Sequence, residues 1–208
     1  MLMRTDSIDT FLQGLASRDP APGGGATAAL HAAQGAALVA MVARFSDGAK
    51  YAEHAAEIGA VLAEADELRG LALDLVERDA TAFGAVGTAY GLPKDTAEAK
   101  AARSRAIAAA LAEASRVPVQ VIALAGRVVR LAERLRPIGN RNVITDIAAA
   151  ADAARAAAST SRVNAEVNLP GVADPATRDA LTAAITEAAD VLHRADETTT
   201  AVREQIQR

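Results

Sequence analysis

Apolar positions along this chain recur at helical spacing and do not alternate. Ile8, Phe11, Leu12 and Leu15 fall at i, i+3, i+4 and i+7, which predicts a short first helix closed before Pro20. A second helix is expected over about Ala26 to Phe45, with Leu30, Ala37, Leu38, Met41, Val42 and Phe45 facing inward. A long third helix runs from roughly Tyr51 to Tyr90, striped by Ile58, Leu62, Ala65, Leu68, Ala72, Leu75, Phe83 and Val86. Gly91 and Pro93 cannot continue it. A fourth spans about Thr96 to Leu135, with Pro118 inside it predicting a kink or break. A fifth covers about Arg141 to Val167. A last one covers about Ala176 to Gln205, with Asp174 as N-cap and Pro175 at the first helical position.

No strand-like alternation, fixed-period repeat or low-complexity linker interrupts this pattern. The expected fold class is all-α: one domain over residues 1–208, built as a bundle of long antiparallel helices. Several of these helices exceed the average length. Long helices with alanine-rich faces commonly bury those faces against a second copy, so a homodimer is expected.

Composition sharpens the picture. Hydrophobic residues make up 51% of the 208 residues but aromatics only 2%, so alanine and small aliphatics must fill the core. Alanine is the best helix former, and small side chains let helices approach closely. A net charge of −4 argues against nucleic-acid binding, which needs a basic surface. Cysteine is absent, which excludes disulfides and thiolate metal sites and leaves a reducing cytoplasm as the default compartment. Residues Pro20 to Ala43 carry no charge and are long enough to cross a bilayer. Their Pro, Gly, Thr, His, Gln and many Ala residues give little insertion energy, so a buried bundle helix and no membrane partner are expected. Asp6 and Asp9 stand where a signal peptide would need an apolar core. His31, His54 and His193 show no ligand-type spacing, so no metal is expected.

Several residues do not fit a plain bundle. Asp79 lies four residues after Leu75 and four before Phe83, in the apolar stripe itself. A buried carboxylate is costly unless paired, hydrogen-bonded or protonated, so Asp79 is either a structural acid or a functional one. Asn142, Asp146, Asn164 and Asn168 lie near one face of the fifth helix, between alanines. Asn140 or Asn142 fits a helix cap; Asp146, one turn further in, does not. Asp146 and Asn164 are 18 positions apart, about 27 Å along a straight helix, so they cannot grip one reacting centre in one subunit. Lys94, in the break after the third helix, reads alone as a surface lysine. Gly23, Gly24 and Gly25 open the second helix, where free amides and the helix dipole favour an anion. A tight turn between two packed helices explains the same glycines without a ligand.

Together these segments resemble the cyclodeaminase/cyclohydrolase family. "PAPGGGATAALHAAQGAALVAMVARF" resembles its opening Pro-x-Pro-Gly-Gly-Gly signature with the following alanines and Met-Val pair. "ERDATAFGAVGTAYGLPKDT" is similar to its Asp-Ala-x-Ala-Phe segment followed by Pro-Lys. "IGNRNVITDIAAAADAARAAASTSRVNAEVNLPGVAD" resembles its Gly-Asn-x-Asn, Ser-Asp and Asn-Val-x-x-Asn elements in the same order. Thr145 replaces the usual Ser, and Ala165 and Glu166 stand where the family often has a basic residue. The family includes the C-terminal half of formiminotransferase-cyclodeaminase and stand-alone methenyltetrahydrofolate cyclohydrolases. The resemblance implies an all-helical homodimer acting on one-carbon tetrahydrofolates as substrates, with no further cofactor. On that chemistry Asp79, the acid in the apolar stripe, takes the acid/base or cation-stabilising role, and Lys94 is its charged partner or meets an anionic part of the folate. Asp146, with Asn140 and Asn142, would position the pterin or the reacting bridge. Gly23, Gly24 and Gly25 would contact substrate or sit against the partner subunit, and Asn164 and Asn168 would contact substrate. A non-folate amidine substrate and a non-catalytic helical scaffold are the competing readings.

Overall fold

The computed structural model describes residues 3–208, and among these the secondary structure is entirely helical. The helices are α1 (Ile8–Leu15), α2 (Gly24–Arg44), α3 (Ala55–Tyr90), α4 (Ala97–Ala114), α5 (Arg116–Leu135), α6 (Thr145–Asn168) and α7 (Pro175–Ile206). Short 3₁₀ turns at Met3–Thr5, Ala49–His54, Arg141–Val143 and Leu169–Gly171 join or precede them. The ends follow local chemistry. Ser7 accepts from the Thr10 amide, Thr96 from Ala99 and Asp174 from Thr177, and Pro175 opens α7 as expected. The kink between α4 and α5 falls at Ser115, three residues before Pro118. Pro118 has no N–H for the carbonyl of Ala114, and its ring crowds that carbonyl, so the irregularity appears upstream of the proline.

α2 sits at the centre, packed mainly against α3 and α6, with α5 behind; α6 and α5 in turn carry α7. α4 packs chiefly on α3 and has no fully buried residue. The core face of α2 differs from the one expected. Of the six residues assigned inward, only Val42 is fully buried; Leu30, Ala37, Leu38 and Met41 are half-covered and Phe45 is exposed. The buried face is Ala26, Ala29, Ala32, Ala33, Ala36, Val39, Ala40 and Ala43. Close approach selects small residues here. A Cβ on Gly35 would stand 3.0 Å from the Ala150 carbonyl oxygen and 3.1 Å from a Val128 methyl, so α2 and α6 meet nearly backbone to backbone with an α5 side chain closing the gap. Two other stripes need the same correction. In α1 only Phe11 reaches the core, while Ile8 and Leu12 face solvent. In α3 the apolar stripe holds from Ile58 to Val76, but Phe83 is exposed.

The window of α2 that is long and apolar enough to cross a membrane is mostly buried by the other helices, as in the core helix of a bundle. Ion pairs such as Arg134–Glu57 (2.7 Å) and Arg155–Asp196 (2.7 Å) tie α5 to α3 and α6 to α7. They are solvent-exposed and add little to stability.

Candidate active site

The N-terminus of α2 has no side chain of its own to cap it, because the N-cap residue is Gly23. The Thr27 amide and hydroxyl both donate to the Gly23 carbonyl oxygen (3.0 Å each), which fixes the first turn. The amides of Gly24, Gly25 and Ala26 have no carbonyl acceptor within the helix. Asp79, reaching across from α3, supplies the missing cap: its carboxylate accepts a hydrogen bond from the Ala26 amide.

The glycine run is thereby explained at one position. A Cβ on Gly25 would lie 2.0 Å from Asp79 Oδ1 and 2.5 Å from Cγ, so the carboxylate occupies the space a side chain would need. Gly23 and Gly24 face no such conflict, and none of the three has a positive φ. The bare backbone of Gly25 is thus required by a close approach and not by an unusual turn.

Asp79 is half-buried, and burial pushes its carboxyl above the usual aspartate range; the Ala26 hydrogen bond opposes this only in part. The carboxylate has no cationic side-chain partner within ion-pair distance among the described residues. It faces a cavity of about 240 Å³. The polar wall of this cavity is Gly23, Gly24 and Gly25 with Asp79, Asn164 and Asn168. Its apolar wall is Phe83 and Val86 from α3, Leu111 and Ala114 from α4, Pro118 from α5 and Val167 from α6. Asn164 and Asn168 are one helical turn apart, and their side-chain amides have no hydrogen-bond partner among the described residues. Six of the ten expected site residues therefore converge: Asp79, the three glycines, Asn164 and Asn168.

The other four do not join them. Lys94 is exposed in the turn between α3 and α4 and does not line the cavity, so within one chain it is not the partner of Asp79. Asn140, Asn142 and Asp146 lie at the opposite end of α6, as the helical rise required. Asn140 is committed to structure. Its side chain accepts from the Asn142 amide (3.0 Å) and donates to the Phe45 carbonyl (2.8 Å), and its own amide donates to Ser46 Oγ (2.8 Å). It ties the end of α2 to the start of α6. Asp146 is half-exposed and has no hydrogen-bond or ion-pair partner among the described residues. The sequence reading missed the apolar wall. Phe83 and Val86 were assigned to the core by periodicity, and nothing local marks Leu111 or Val167 as site residues.

Comparison with known proteins bears on this geometry. The profile of the formiminotransferase-cyclodeaminase family matches residues 7–187. The chain belongs to the formiminotransferase-cyclodeaminase family. Within this family it is 43% identical over 172 residues to methenyltetrahydrofolate cyclohydrolase of Methylorubrum extorquens, covering 82% of this chain and 83% of that protein. It is 33% identical over 170 residues to formimidoyltransferase-cyclodeaminase of Sus scrofa, covering 81% of this chain but 31% of that longer protein. Its fold superposes on formiminotetrahydrofolate cyclodeaminase of Thermotoga maritima with a TM-score of 0.85 and 28% identity, covering 98% of each chain. The cyclodeaminase-family assignment agrees with the three segments singled out in the sequence. Two of those segments, around Gly25 and Asp79, meet at the cavity, and the third reaches it through Asn164 and Asn168.

Proposed function

We propose that this chain is a soluble, cytoplasmic methenyltetrahydrofolate cyclohydrolase in which Asp79 is the acid/base group. One observation carries the assignment of the residue. Asp79 places a half-buried carboxylate, lacking a cationic partner, on the polar wall of the cavity beside free helix-end amides and two unpaired asparagine amides. A carboxyl held above its ordinary range titrates nearer to neutral pH, where an acid/base catalyst is most effective. The similarity to a cyclohydrolase of matching length supports the hydrolytic direction over ammonia release.

The chemistry follows from charge. The methenyl bridge is an amidinium cation, and an unpartnered carboxylate beside it stabilises that charge. Water adds to the bridge carbon, and Asp79 takes a proton as the new C–O bond forms. The tetrahedral adduct then collapses. The bond from that carbon to one of its two nitrogens breaks, Asp79 returns the proton to the departing nitrogen, and the hydroxyl proton leaves to solvent as the formyl group forms. Asn164 and Asn168 offer donor and acceptor groups to the polar edge of the pterin. In cyclodeamination the same carboxyl would instead protonate the departing amine.

The reading includes a homodimer. A cavity of about 240 Å³ falls below the roughly 300–1,000 Å³ of a complete small-ligand site, so one chain encloses only part of a folate. The outward face of α2, with Leu30, Ala37, Leu38, Met41 and Phe45, is the apolar surface on which a second copy would pack. The unpaired Asp146 and Lys94 are then available to the assembled enzyme and not to the cavity of their own chain.

The test is a paired assay on purified wild type and Asp79→Asn. One arm follows loss of the 5,10-methenyl-tetrahydrofolate chromophore above its spontaneous rate. The other follows ammonia released from 5-formimino-tetrahydrofolate. Activity in the first arm, lost in the variant, supports the proposal. Activity in the second arm alone reassigns the chain as a cyclodeaminase, and silence in both points to a non-folate amidine or a non-catalytic dimer.

A further inference from the structure

Aromatic side chains are scarce in this protein, so the position of each one carries information. Phe11 is in the core. Phe45 lies at the far end of α2 from the cavity. Tyr51 has Lys50 over its ring and Tyr90 has Arg103 over its ring, each at 5.5 Å from the centroid. Phe83 remains. It is 52% exposed, and it is the aromatic residue that lines the cavity.

Three features make Phe83 more than a stray surface ring. It is one turn after Asp79 on α3, about 6 Å along the axis, so ring and carboxylate share a face. It belongs to an apolar wall drawn from four helices, with Val86 beside it, Leu111 on α4, Pro118 on α5 and Val167 on α6, the last also exposed at 72%. The opposing wall is polar, made by the glycine backbone, Asp79, Asn164 and Asn168. Half of a phenyl ring left in water is unfavourable in the free protein. That cost is recovered if a flat ligand covers the ring.

We propose that Phe83 is the stacking residue of this site and selects flat, positively charged conjugated ring systems over non-planar or aliphatic amidines. Resting on the folate reading above, it would hold the ring system that carries the methenyl bridge. The face of a phenyl ring is the negative end of its quadrupole, so it attracts a delocalised cation while a planar ring stacks on it. The carboxylate one turn away meets the same cation from the polar wall. Phe83 thereby fixes the plane of the substrate, and Asp79 and the asparagines fix its rotation within that plane.

The experiment compares wild type with Phe83→Ala, Phe83→Leu, Phe83→Tyr and Phe83→Trp. It measures KM and kcat on 5,10-methenyl-tetrahydrofolate, Kd for pterin by calorimetry, thermal melting, and mass in solution. Phe83→Ala is expected to weaken pterin binding and raise KM by about 5- to 150-fold, the range that alanine substitution gives at ring-stacking sites. Its melting temperature should stay near that of wild type, because the ring is not in the core. Phe83→Leu should lie between, since it keeps apolar bulk and loses the π face. Phe83→Tyr and Phe83→Trp should retain affinity within about threefold, a rescue that a simple filling role would not give. Unchanged KM and pterin Kd in Phe83→Ala, with wild-type turnover intact, overturn the stacking role and leave the cyclohydrolase reading standing. Pterin binding that depends on Phe83 in a protein without folate turnover does the reverse. Absence of both in wild type overturns both. Loss of dimer mass in Phe83→Ala with unchanged pterin affinity makes Phe83 a subunit contact and also overturns the proposal.

Discussion

Replacing Gly25 by alanine adds one methyl group, and the structure says where it goes. The new Cβ would stand 2.0 Å from Asp79 Oδ1, 2.5 Å from Cγ and 2.7 Å from Oδ2. Reaching the 3.4 Å of ordinary contact requires a displacement of about 1.4 Å, and the carboxylate, at the end of a flexible side chain, is the part that yields. A reacting group misplaced by about 1 Å can cost about 100-fold in rate, so kcat/KM for methenyl hydrolysis should fall by roughly that factor. Stability should change far less. Loss of the charged hydrogen bond from Ala26 costs about 1.5–3 kcal/mol, and alanine in a helix regains roughly 0.5–1 kcal/mol over glycine. A net loss near 1–2 kcal/mol moves the melting temperature of a domain this size by about 2–8 °C. The assay is steady-state hydrolysis beside a thermal melt. Because both changes act through one carboxylate, Gly25→Ala combined with Asp79→Asn should be no worse than about threefold below Asp79→Asn alone. A Gly25→Ala protein with wild-type kcat/KM would refute the reasoning, and so would full multiplication of the two single effects.

Four further outcomes follow from the same geometry. Gly70 lies mid-way along α3 with nothing within 4 Å of an added Cβ, so Gly70→Ala should keep full activity and melt slightly higher, by roughly 0.5–1 kcal/mol of helix propensity. Gly35→Ala should lower stability by about 1–3 kcal/mol through overpacking against Ala150 and Val128, read by denaturant titration. If the proposed dimer packs through the outward face of α2, wild type should have a mass in solution of twice 21.3 kDa, and Met41→Arg should reduce it to that of one chain and lower activity with it. Because the native Asp79 pKa is raised, the folded state binds more protons than the unfolded state between the two values. Asp79 therefore adds stability below the unfolded pKa and loses it as pH rises through the native one, and Asp79→Asn should flatten that slope in melts across pH.

The helical architecture was readable because periodicity, proline and capping residues agree, as at Asp174 and Pro175. The orientation of α2 was not readable. In an alanine-rich helix, hydrophobicity barely distinguishes the two faces, and the packed face is chosen by how closely backbones can approach, as at Gly35. Asp79 was legible because a carboxylate in an apolar stripe is conspicuous. What it accompanies was less so. The same stripe assigned Phe83 to the core, whereas beyond Val76 the buried residues of α3 are the alanines Ala82 and Ala89, and Asp79, Phe83 and Val86 wall a cavity. The meeting of Gly25 with Asp79 is a contact across 54 positions that no local pattern reports. The separation of Asp146 from Asn164 was fixed by helix rise alone, and the structure keeps them at opposite ends of α6.

The central claim is that Asp79 carries the proton. It is tested most directly by kcat/KM for 5,10-methenyl-tetrahydrofolate hydrolysis as a function of pH, corrected for the spontaneous reaction, in wild type and Asp79→Asn. The account predicts a wild-type inflection above the usual aspartate range. It predicts no such inflection in the variant, together with a rate lower by about 100- to 10,000-fold at unchanged folding. A variant that keeps the wild-type profile and rate, while remaining folded, would contradict it and leave Asp79 as the cap of α2.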